Sequence, residues 1–382
     1  MRKLLICVVA LCLFMLSSSA AVASDVMEPT IAAQSAIVIE ASTGRVVYEK
    51  NADMQSSPAS MTKIMTCLLG LEMLGRHQDI VISKNAAETE DVPLGLQAGD
   101  VFAADELLRG MMLVSDNGAA VAIAEASAGT AQKFVAQMND EAQKLDMKDT
   151  HFANPNGLTL PSHYSTARDM AKLARYAMTK KEFREIVAIQ QAPVRWSLPK
   201  NKVLMTENSN KLLGHYDGMT GIKTGWTTAA GGCLAASAKR NGLELIAIVM
   251  KAPDANVRFD DARKLLDYGF ARTKLKRGIQ RDHLKKSVWV KGAKQATVAV
   301  HPVEDINYPI IGGEDPKRYT VTYDLPKILE APVKDGAIVG KIVLRYDGKP
   351  VGSVDLAAEK AESGFSFGSA LVSVFGWMLP KL

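Results

Sequence analysis

The chain is poor in the residues that staple or metallate small folds. Four cysteines occur in 382 residues, and two of them, Cys7 and Cys12, sit in the first apolar stretch. Cys12 follows Leu11, where a lipid-attachment site requires a small residue, and Cys7 lies too near the start, so neither reads as a lipid anchor. That leaves Cys67 and Cys233, at most one disulfide, which excludes a disulfide-built scaffold. The six histidines are scattered, and neither H-E-x-x-H nor C-x-x-C spacing occurs. A zinc site therefore has no local signature, and neither metal nor cofactor is expected. Long like-charge runs are missing too. The formal charge is +5, and it falls to +3 once Arg2 and Lys3 are removed; so mild and dispersed a balance does not point to nucleic acid.

What is present begins with an apolar run over residues 4–16, shorter than the roughly 20 residues that cross a bilayer. Arg2 and Lys3 precede it, and small residues lead out of it to Ala21-Val22-Ala23. This is the layout of a secretory signal peptide over 1–23, with the mature chain starting at Ser24. Signal and anchor segments differ only in flank and length, and the small-residue exit favours cleavage. About 360 residues remain, enough for a large domain with its own core and a smaller one.

Residues 35–40 and 45–49 are β-branched runs separated by Ala41-Ser42-Thr43-Gly44, which reads as a hairpin. Residues 60–74 carry Met61, Ile64, Met65, Leu68, Leu69, Leu71 and Met73 around nearly the whole circumference of a helix, and such a helix belongs inside a core. Pro58 precedes it and Gly75 follows it, where helix boundaries favour them. Residues 105–129 are rich in Leu, Met and Ala, with a break at Ser115-Asp116-Asn117-Gly118, so two helices joined by a tight polar turn are expected. Helices over 131–145 and 166–178, paired strands over 232–238 and 243–250, and a closing helix over 260–270 follow. Strands at both ends with helices between them predict an α+β domain over 24–275. Short alternating strands at 287–291, 296–300, 319–323 and 342–346 predict a separate small all-β domain over 276–361. In the tail, 362–382, Leu371, Val374, Phe375 and Met378 share one helical face, with Ser366, Ser369 and Ser373 elsewhere and Trp377 near the end. A helix lying flat on a membrane surface is expected. A terminal helix packed on the protein is the plainer alternative, because the polar face has no lysine before Lys381.

Three short motifs occur in order: Ser60-Met61-Thr62-Lys63, Ser115-Asp116-Asn117 and Lys223-Thr224-Gly225. Together they make a penicilloyl-serine site. The first two are weak alone, since Ser197-Leu198-Pro199-Lys200 and Ser83-Lys84-Asn85 fit the same patterns. Context separates them: Ser60 opens a buried helix with Lys63 one turn later, whereas Pro199 denies Ser197 a continuing helix. Lys-Thr-Gly occurs once, and Gly231 and Gly232 ahead of an apolar run suit a strand that a ligand backbone approaches closely. A serine hydroxyl needs a base, and no histidine stands in a triad-like context. Lys63 can serve if neutral, a state favoured by burial and by the positive charge of Lys223. Ser115 would pass the proton to the leaving amine, and Asn117 would hold the substrate backbone. Lys223 and Thr224 offer donors for a terminal carboxylate, and the backbone N–H groups of Ser60 and Trp226 would form an oxyanion hole.

With these residues in place, the sequence from 33 to 270 resembles the D-alanyl-D-alanine carboxypeptidase family, the low-molecular-mass penicillin-binding proteins. The resemblance also rests on Asn154-Pro155-Asn156-Gly157-Leu158, on the run from His163 to Met170, on Asn208-Ser209-Asn210-Lys211-Leu212-Leu213 and on Leu265-Leu266-Asp267-Tyr268-Gly269-Phe270. It implies a β-lactamase/DD-peptidase-like sheet with a helical cluster, followed by a small β domain and a C-terminal amphipathic membrane anchor. It also implies removal of the terminal D-alanine from peptidoglycan pentapeptide stems through an acyl-enzyme on Ser60, and acylation by β-lactams. The place of action would be the outer face of the cytoplasmic membrane, on the periplasm or cell-wall side. Arg258 matches the position where such enzymes place an arginine near the substrate carboxylate. Two departures bear on substrate preference: Trp226 stands where relatives often have a smaller or polar residue, and Asn156 where a histidine is frequent.

Two other readings compete. A class A-like β-lactamase shares the three motifs but needs a glutamate that activates the deacylating water. Residues 154–158 offer no acid, and Glu125, Glu141 and Glu207 lie in helical or unrelated contexts. A non-hydrolytic peptidoglycan-binding protein would have lost motif side chains, and all are intact. His163 and Tyr164 read as packed, and Thr166 to Asp169 as a helix cap.

Overall fold

The computed structural model describes residues 26–284, 286–365 and 367–375. The leader expected over 1–23 lies outside them, as do Ser366, Trp377, Met378 and Lys381. The chain starts with β1 (Ser35–Glu40) and β2 (Val46–Lys50), then a 3₁₀ turn, Ala59–Thr62, that runs into α1 (Lys63–Met73). Next come β3 (Asp79–Val81), α2 (Lys84–Ala87), β4 (Val101–Ala103), α3 (Ala104–Val114), α4 (Asn117–Ala128), α5 (Ala131–Lys144), α6 (Ala167–Ala177) and α7 (Lys181–Val187). The hairpin β5 (Gln191–Arg195) and β6 (Val203–Glu207) leads to β7 (Met219–Thr227), β8 (Gly231–Arg240), β9 (Leu243–Ala252) and α8 (Val257–Arg272).

Five strands form one antiparallel sheet in the order β2-β1-β9-β8-β7. Both faces are covered. Ile37, Ile39, Ile246 and Ile248 point into the helical cluster with Ile64, Met65 and Leu68 of α1. Val38, Leu245, Ala247 and Val249 point the other way, under Phe259, Ala262, Leu265 and Leu266 of α8. That is why β1 and β9 read as continuous apolar runs and not as alternating ones. Every residue of α1 from Lys63 to Gly70 is buried, and each large apolar side chain among them contributes about 2 kcal/mol. The α+β expectation holds.

The second unit contains β10 (Thr273–Arg277), β11 (Lys286–Lys291), β12 (Thr297–Pro302), β13 (Asn307–Ile311), β14 (Tyr319–Asp324), β15 (Ile328–Glu330), β16 (Ala337–Tyr346) and β17 (Lys349–Ala358). Six of these strands form a sheet in the order β14-β16-β17-β12-β11-β15, and β10 pairs with β13. At the junction, Arg45 from the β1–β2 turn meets Glu314 with both terminal nitrogens and lies 3.5 Å from the Tyr346 ring centroid. Arg175 of α6 donates to the Val351 carbonyl at 3.2 Å.

The tail helix α9 (Phe367–Phe375) packs beside β11, and its Val372 is buried. Phe367, Leu371, Val374 and Phe375 are exposed. Among the described residues no helix is long and apolar enough to cross a membrane. Cys67 and Cys233 are both free and buried.

Candidate active site

Ser60 does not open the α-helix itself. It lies in the 3₁₀ turn, and Lys63 is the first residue of α1. In a 3₁₀ turn residues three apart are eclipsed, which lines up the hydroxyl and the amine. The turn is held under close contact from two sides. Ala59 takes a φ of +48°, rare for a residue with a Cβ. A Cβ on Gly157 would lie 2.0 Å from the Ala59 carbonyl oxygen, and one on Gly225 would lie 3.1 Å from the Ser60 nitrogen. Gly157, at φ +93°, and Gly225 of β7 thus let two segments press against the backbone of Ala59 and Ser60. Gly231 and Gly232 have a packing role as well. A Cβ on either would strike the chain's own carbonyls, Ala252 at 2.6 Å and Asp254 at 2.7 Å, so they serve packing of β8 against β9 and its following turn.

Lys63 is wholly buried and has three oxygen neighbours. Its Nζ lies 2.9 Å from Ser60 Oγ, 2.6 Å from Asn117 Oδ1 and 2.7 Å from the Asn156 carbonyl oxygen. None is a carboxylate. A charged amine there loses water without gaining a counter-ion, and burial pushes its pKa down to about 7, against the pull of Asp116 and Asp91. The sequence reading also credited the charge of Lys223. Lys223 is itself pushed well below its ordinary value, by burial first and then by the charges of Lys63 and Arg258. As a neutral amine, Lys63 has two N–H groups and one lone pair. Asn117 and Asn156 accept the two N–H groups, which leaves the lone pair for the Ser60 hydroxyl.

Each partner is positioned by its own segment. Asn117 begins α4, capped by Asp116, which accepts from Ala119 N at 2.7 Å and from Leu94 N at 2.9 Å. The Asn117 carboxamide, expected to hold substrate, accepts from Lys63 and donates to the Glu90 carbonyl at 2.9 Å. Ser115, in the turn before it, adopts φ +64° and lines the cleft; a non-glycine residue held in this region is typical of a functional turn. The Asn156 carbonyl is aimed by Asn154, whose side chain bonds both Gly157 N at 2.7 Å and the Leu158 carbonyl at 2.8 Å. Thr66 on α1 adds a bond to the Pro155 carbonyl at 2.6 Å.

The cleft, about 520 Å³, is lined by Ser60, Ser115, Asn117, Thr224, Gly225, Trp226 and Arg258 together with Asp91 and Leu158. Lys63 and Lys223 are buried behind this lining and are not part of it. Lys223 donates to the Thr224 carbonyl at 3.2 Å, and the Thr224 hydroxyl shares a 2.6 Å hydrogen bond with Ser209. Arg258 donates to the Gly225 carbonyl, and its Nε has no partner among the described residues. The Trp226 side chain is 47% exposed. Two decoys fall away: Ser197 is exposed on the β5 side with Lys200 in solvent, and Ser83 caps α2. His163 is structural. Its Nδ1 accepts from Ala153 N at 3.0 Å, its Nε2 meets Thr62 Oγ1 at 2.8 Å, and burial holds it neutral with a pKa of about 4. Thr166 caps α6 by accepting from Asp169 N.

Three contributors were not read from the sequence: the Asn156 carbonyl, Ser209, and the lip carrying Glu90 and Asp91. Backbone acceptors leave no residue-type signal, although Asn154-Pro155-Asn156-Gly157 is a turn signature that marks the first.

A serine and a desolvated lysine sharing a hydrogen bond at the edge of a sheet define a serine acyl-transfer enzyme. Residues 22–254 match the sequence profile of the family described as D-alanyl-D-alanine carboxypeptidase, and residues 274–363 match that of the penicillin-binding protein 5 C-terminal domain. The D-alanyl-D-alanine carboxypeptidase DacF of Bacillus subtilis is 34% identical over 86% of this chain and 85% of its own. DacC of Escherichia coli is 30% identical over 93% and 91%. The crystal structure of penicillin binding protein 5 from Haemophilus influenzae is similar at a TM-score of 0.65 and 29% identity, covering 88% of this chain and 99% of that one. The chain belongs to the D-alanyl-D-alanine carboxypeptidase family, and it is a serine-type hydrolase.

Proposed function

We propose that Ser60 is the residue acylated, that Lys63 is its base, and that the substrate is the D-alanyl-D-alanine end of peptidoglycan pentapeptide stems. The observation that carries this reading is the Lys63 amine, 2.9 Å from Ser60 Oγ, with its other two neighbours both neutral acceptors. Ser60 Oγ adds to the carbonyl carbon of the penultimate D-alanine as its proton moves to Lys63. The N–H groups of Ser60 and Trp226 receive the oxyanion. The C–N bond then breaks, Ser115 delivers a proton to the departing D-alanine amine, and the acyl group stays on Ser60. Water hydrolyses that ester and restores the hydroxyl. Thr224 and Arg258 hold the leaving carboxylate; Lys223, on β7 and buried behind the cleft lining, supports that strand by donating to the Thr224 carbonyl.

β-Lactams present the same carbonyl and would be trapped on Ser60. Rapid release is not expected. Glu125 bonds Asn85 and Glu141 pairs with Lys144, both outside the cleft, while residues 154–158 turn a carbonyl toward Lys63 where a β-lactamase needs a carboxylate.

The chain is divided, in this reading, into a signal peptide (1–23), a catalytic domain (24–275), a small β domain (276–361) and a surface-binding tail (362–382). Export to the outer face of the cytoplasmic membrane follows from the leader. The exposed Phe367, Leu371, Val374 and Phe375 support attachment in the interfacial plane. The test is peptide mapping after exposure to labelled penicillin, paired with D-alanine release from a pentapeptide. Label on Ser60 and released D-alanine are expected; failure of both with folded protein ends the proposal. Deleting residues after Ser363 should abolish partitioning onto vesicles, and unchanged partitioning removes the tail's role.

A further inference from the structure

Ser60 N has no hydrogen-bond acceptor among the described residues, as befits a donor kept for an oxyanion. What aims it lies on the far side of its own peptide unit. The Ala59–Ser60 bond is trans, so the Ala59 carbonyl and the Ser60 N–H point in opposite directions within one rigid plane. Whatever fixes that carbonyl also fixes that N–H. The Ala59 carbonyl accepts from Thr62 Oγ1 at 2.8 Å. Thr62 Oγ1 in turn lies 2.8 Å from His163 Nε2, and Ala153 N donates to His163 Nδ1 at 3.0 Å. The hydrogens on this chain have one consistent arrangement. The Ala153 N–H occupies the Nδ1 lone pair, and burial keeps the ring neutral. A neutral imidazole then carries its single hydrogen on Nε2 and gives it to Thr62 Oγ1, which leaves the Thr62 hydrogen for the Ala59 carbonyl. Reversing the middle bond would set a ring N–H against the Ala153 N–H and strip the Ala59 carbonyl of its donor.

The chain is held rigidly. Ala59, Thr62 and His163 are all buried, and Phe152 stands edge-on to the imidazole at 5.9 Å. The segment that carries His163 is stitched on both sides: Tyr164 pairs with His151, and Ser165 exchanges two 2.9 Å backbone bonds with Ser56, just ahead of the nucleophile's turn. Neither Thr62 nor His163 lines the cleft, so neither touches substrate. The support is needed because Ala59 stands at φ +48°, a region from which a residue with a Cβ relaxes unless its surroundings hold it there.

Resting on the proposed reading of Ser60 as the nucleophile, we propose that His163 and Thr62 are positioning residues for the oxyanion hole. The chain from the Ala153 N–H through His163 and Thr62 to the Ala59 carbonyl turns the Ser60 N–H toward the place where the attacked carbonyl oxygen gains charge. Both residues act through the Ala59–Ser60 peptide, and neither exchanges a proton with substrate.

The test uses the full-length protein and two acyl donors, a peptide ester and its thionoester, in which sulfur replaces the attacked carbonyl oxygen. Sulfur accepts hydrogen bonds weakly, so a well-aimed hole helps the oxygen substrate far more than the sulfur one. Thr62→Val exchanges the hydroxyl for a methyl, and Thr62→Ser keeps the hydroxyl. Thr62→Val should slow acylation by the oxygen ester by about 10–10²-fold, less than the 10²–10³ lost when an oxyanion donor is removed outright. Acylation by the thionoester should change little, so the ratio of the two rates collapses toward one set by sulfur. Thr62→Ser should restore both the rate and the ratio. His163→Leu should repeat the collapse at smaller size, and it carries the same comparison if Thr62→Val does not fold. Equal losses on the two substrates, with a lowered thermal midpoint, overturn the assignment while the hydrolase stands, because the chain would then only hold the fold. An acylation limb moved from about pH 7 with the ratio intact overturns it as well, because the chain would then act on Lys63. A wild type that reacts with neither ester overturns the Ser60 reading and this inference with it.

Discussion

Arg45 at the domain junction and Lys63 in the cleft are both withdrawn from water, but the fold gives them different partners. Arg45 meets a carboxylate, Glu314, and two tyrosine rings. Burial works against its charge, yet its bonds to Glu314 and Tyr319 outweigh that effect and raise its pKa above the ordinary value. Lys63 meets a hydroxyl, an amide oxygen and a peptide oxygen. Burial wins there, and the amine titrates at about 7. Acceptor chemistry and depth of burial, added to the higher intrinsic basicity of a guanidinium, thus set whether a withdrawn cation keeps its charge or yields it.

The sharpest way to break this contrast is to remove the base. Lys63→Ala should slow penicillin acylation of Ser60 by about 10²–10⁴-fold, read as the second-order labelling rate; labelling at the wild-type rate would show that the amine is not the base. Gly157→Ala comes next. Its Cβ has no room beside the Ala59 carbonyl, so the 3₁₀ turn must shift, and a displacement of about 1 Å can cost 10²-fold. Stopped-flow acylation with circular dichroism as a folding control measures it, and a rate within twofold of wild type would show that the turn yields without moving Ser60.

Asn117→Asp would turn the Lys63 site into a version of the Arg45 site by placing a carboxylate where the 2.6 Å amide contact now stands. In the wild type the neutral amine gains population as pH rises, so acylation should climb through about pH 7 and level off above it. In the variant a nearby anion favours the ammonium, so that limb should move up by about 1–3 pH units, a loss of about 5- to 500-fold at pH 7 that alkaline pH restores. An unmoved limb would refute the role of the neutral acceptor. The smallest effect belongs to the other member of the pair. Arg45→Ala should lower stability by about 2 kcal/mol, seen in the denaturant midpoint, with Ser60 labelling within twofold. A fall in labelling would mean that the junction feeds the cleft.

How far the site could be read from sequence follows the same division between side chains and backbone. The Ser60–Lys63 spacing and the buried helix behind it were legible because a three-residue offset on an apolar element fixes a direction. The acceptors around Lys63 were only half legible. Asn117 carries its chemistry in its side chain, but Asn156 contributes a carbonyl, which every residue has. The lip with Asp91 is held by Asn117 bonding to main-chain oxygens, and nothing in Glu88-Thr89-Glu90-Asp91 announces that. In the β domain, β12, β14 and β16 alternate and were expected at least in part. Pro309 in β13, and Pro350 and Gly352 in β17, obscure the pattern of strands that pairing with β10 and β16 nevertheless stabilises. The covered sheet was legible as strands, but not the order that places β1 beside β9.

That order has a consequence for the history of each molecule. The first strand finds its central neighbour only after about two hundred further residues have been made, a pairing of high sequence separation that slows closure. A chain still emerging has Ser60 and Lys63 but no finished crevice around them, because the turn at Gly157 and then β7 are made later. On the proposed reading, a copy that has not yet docked β7 would react with neither antibiotic nor wall peptide.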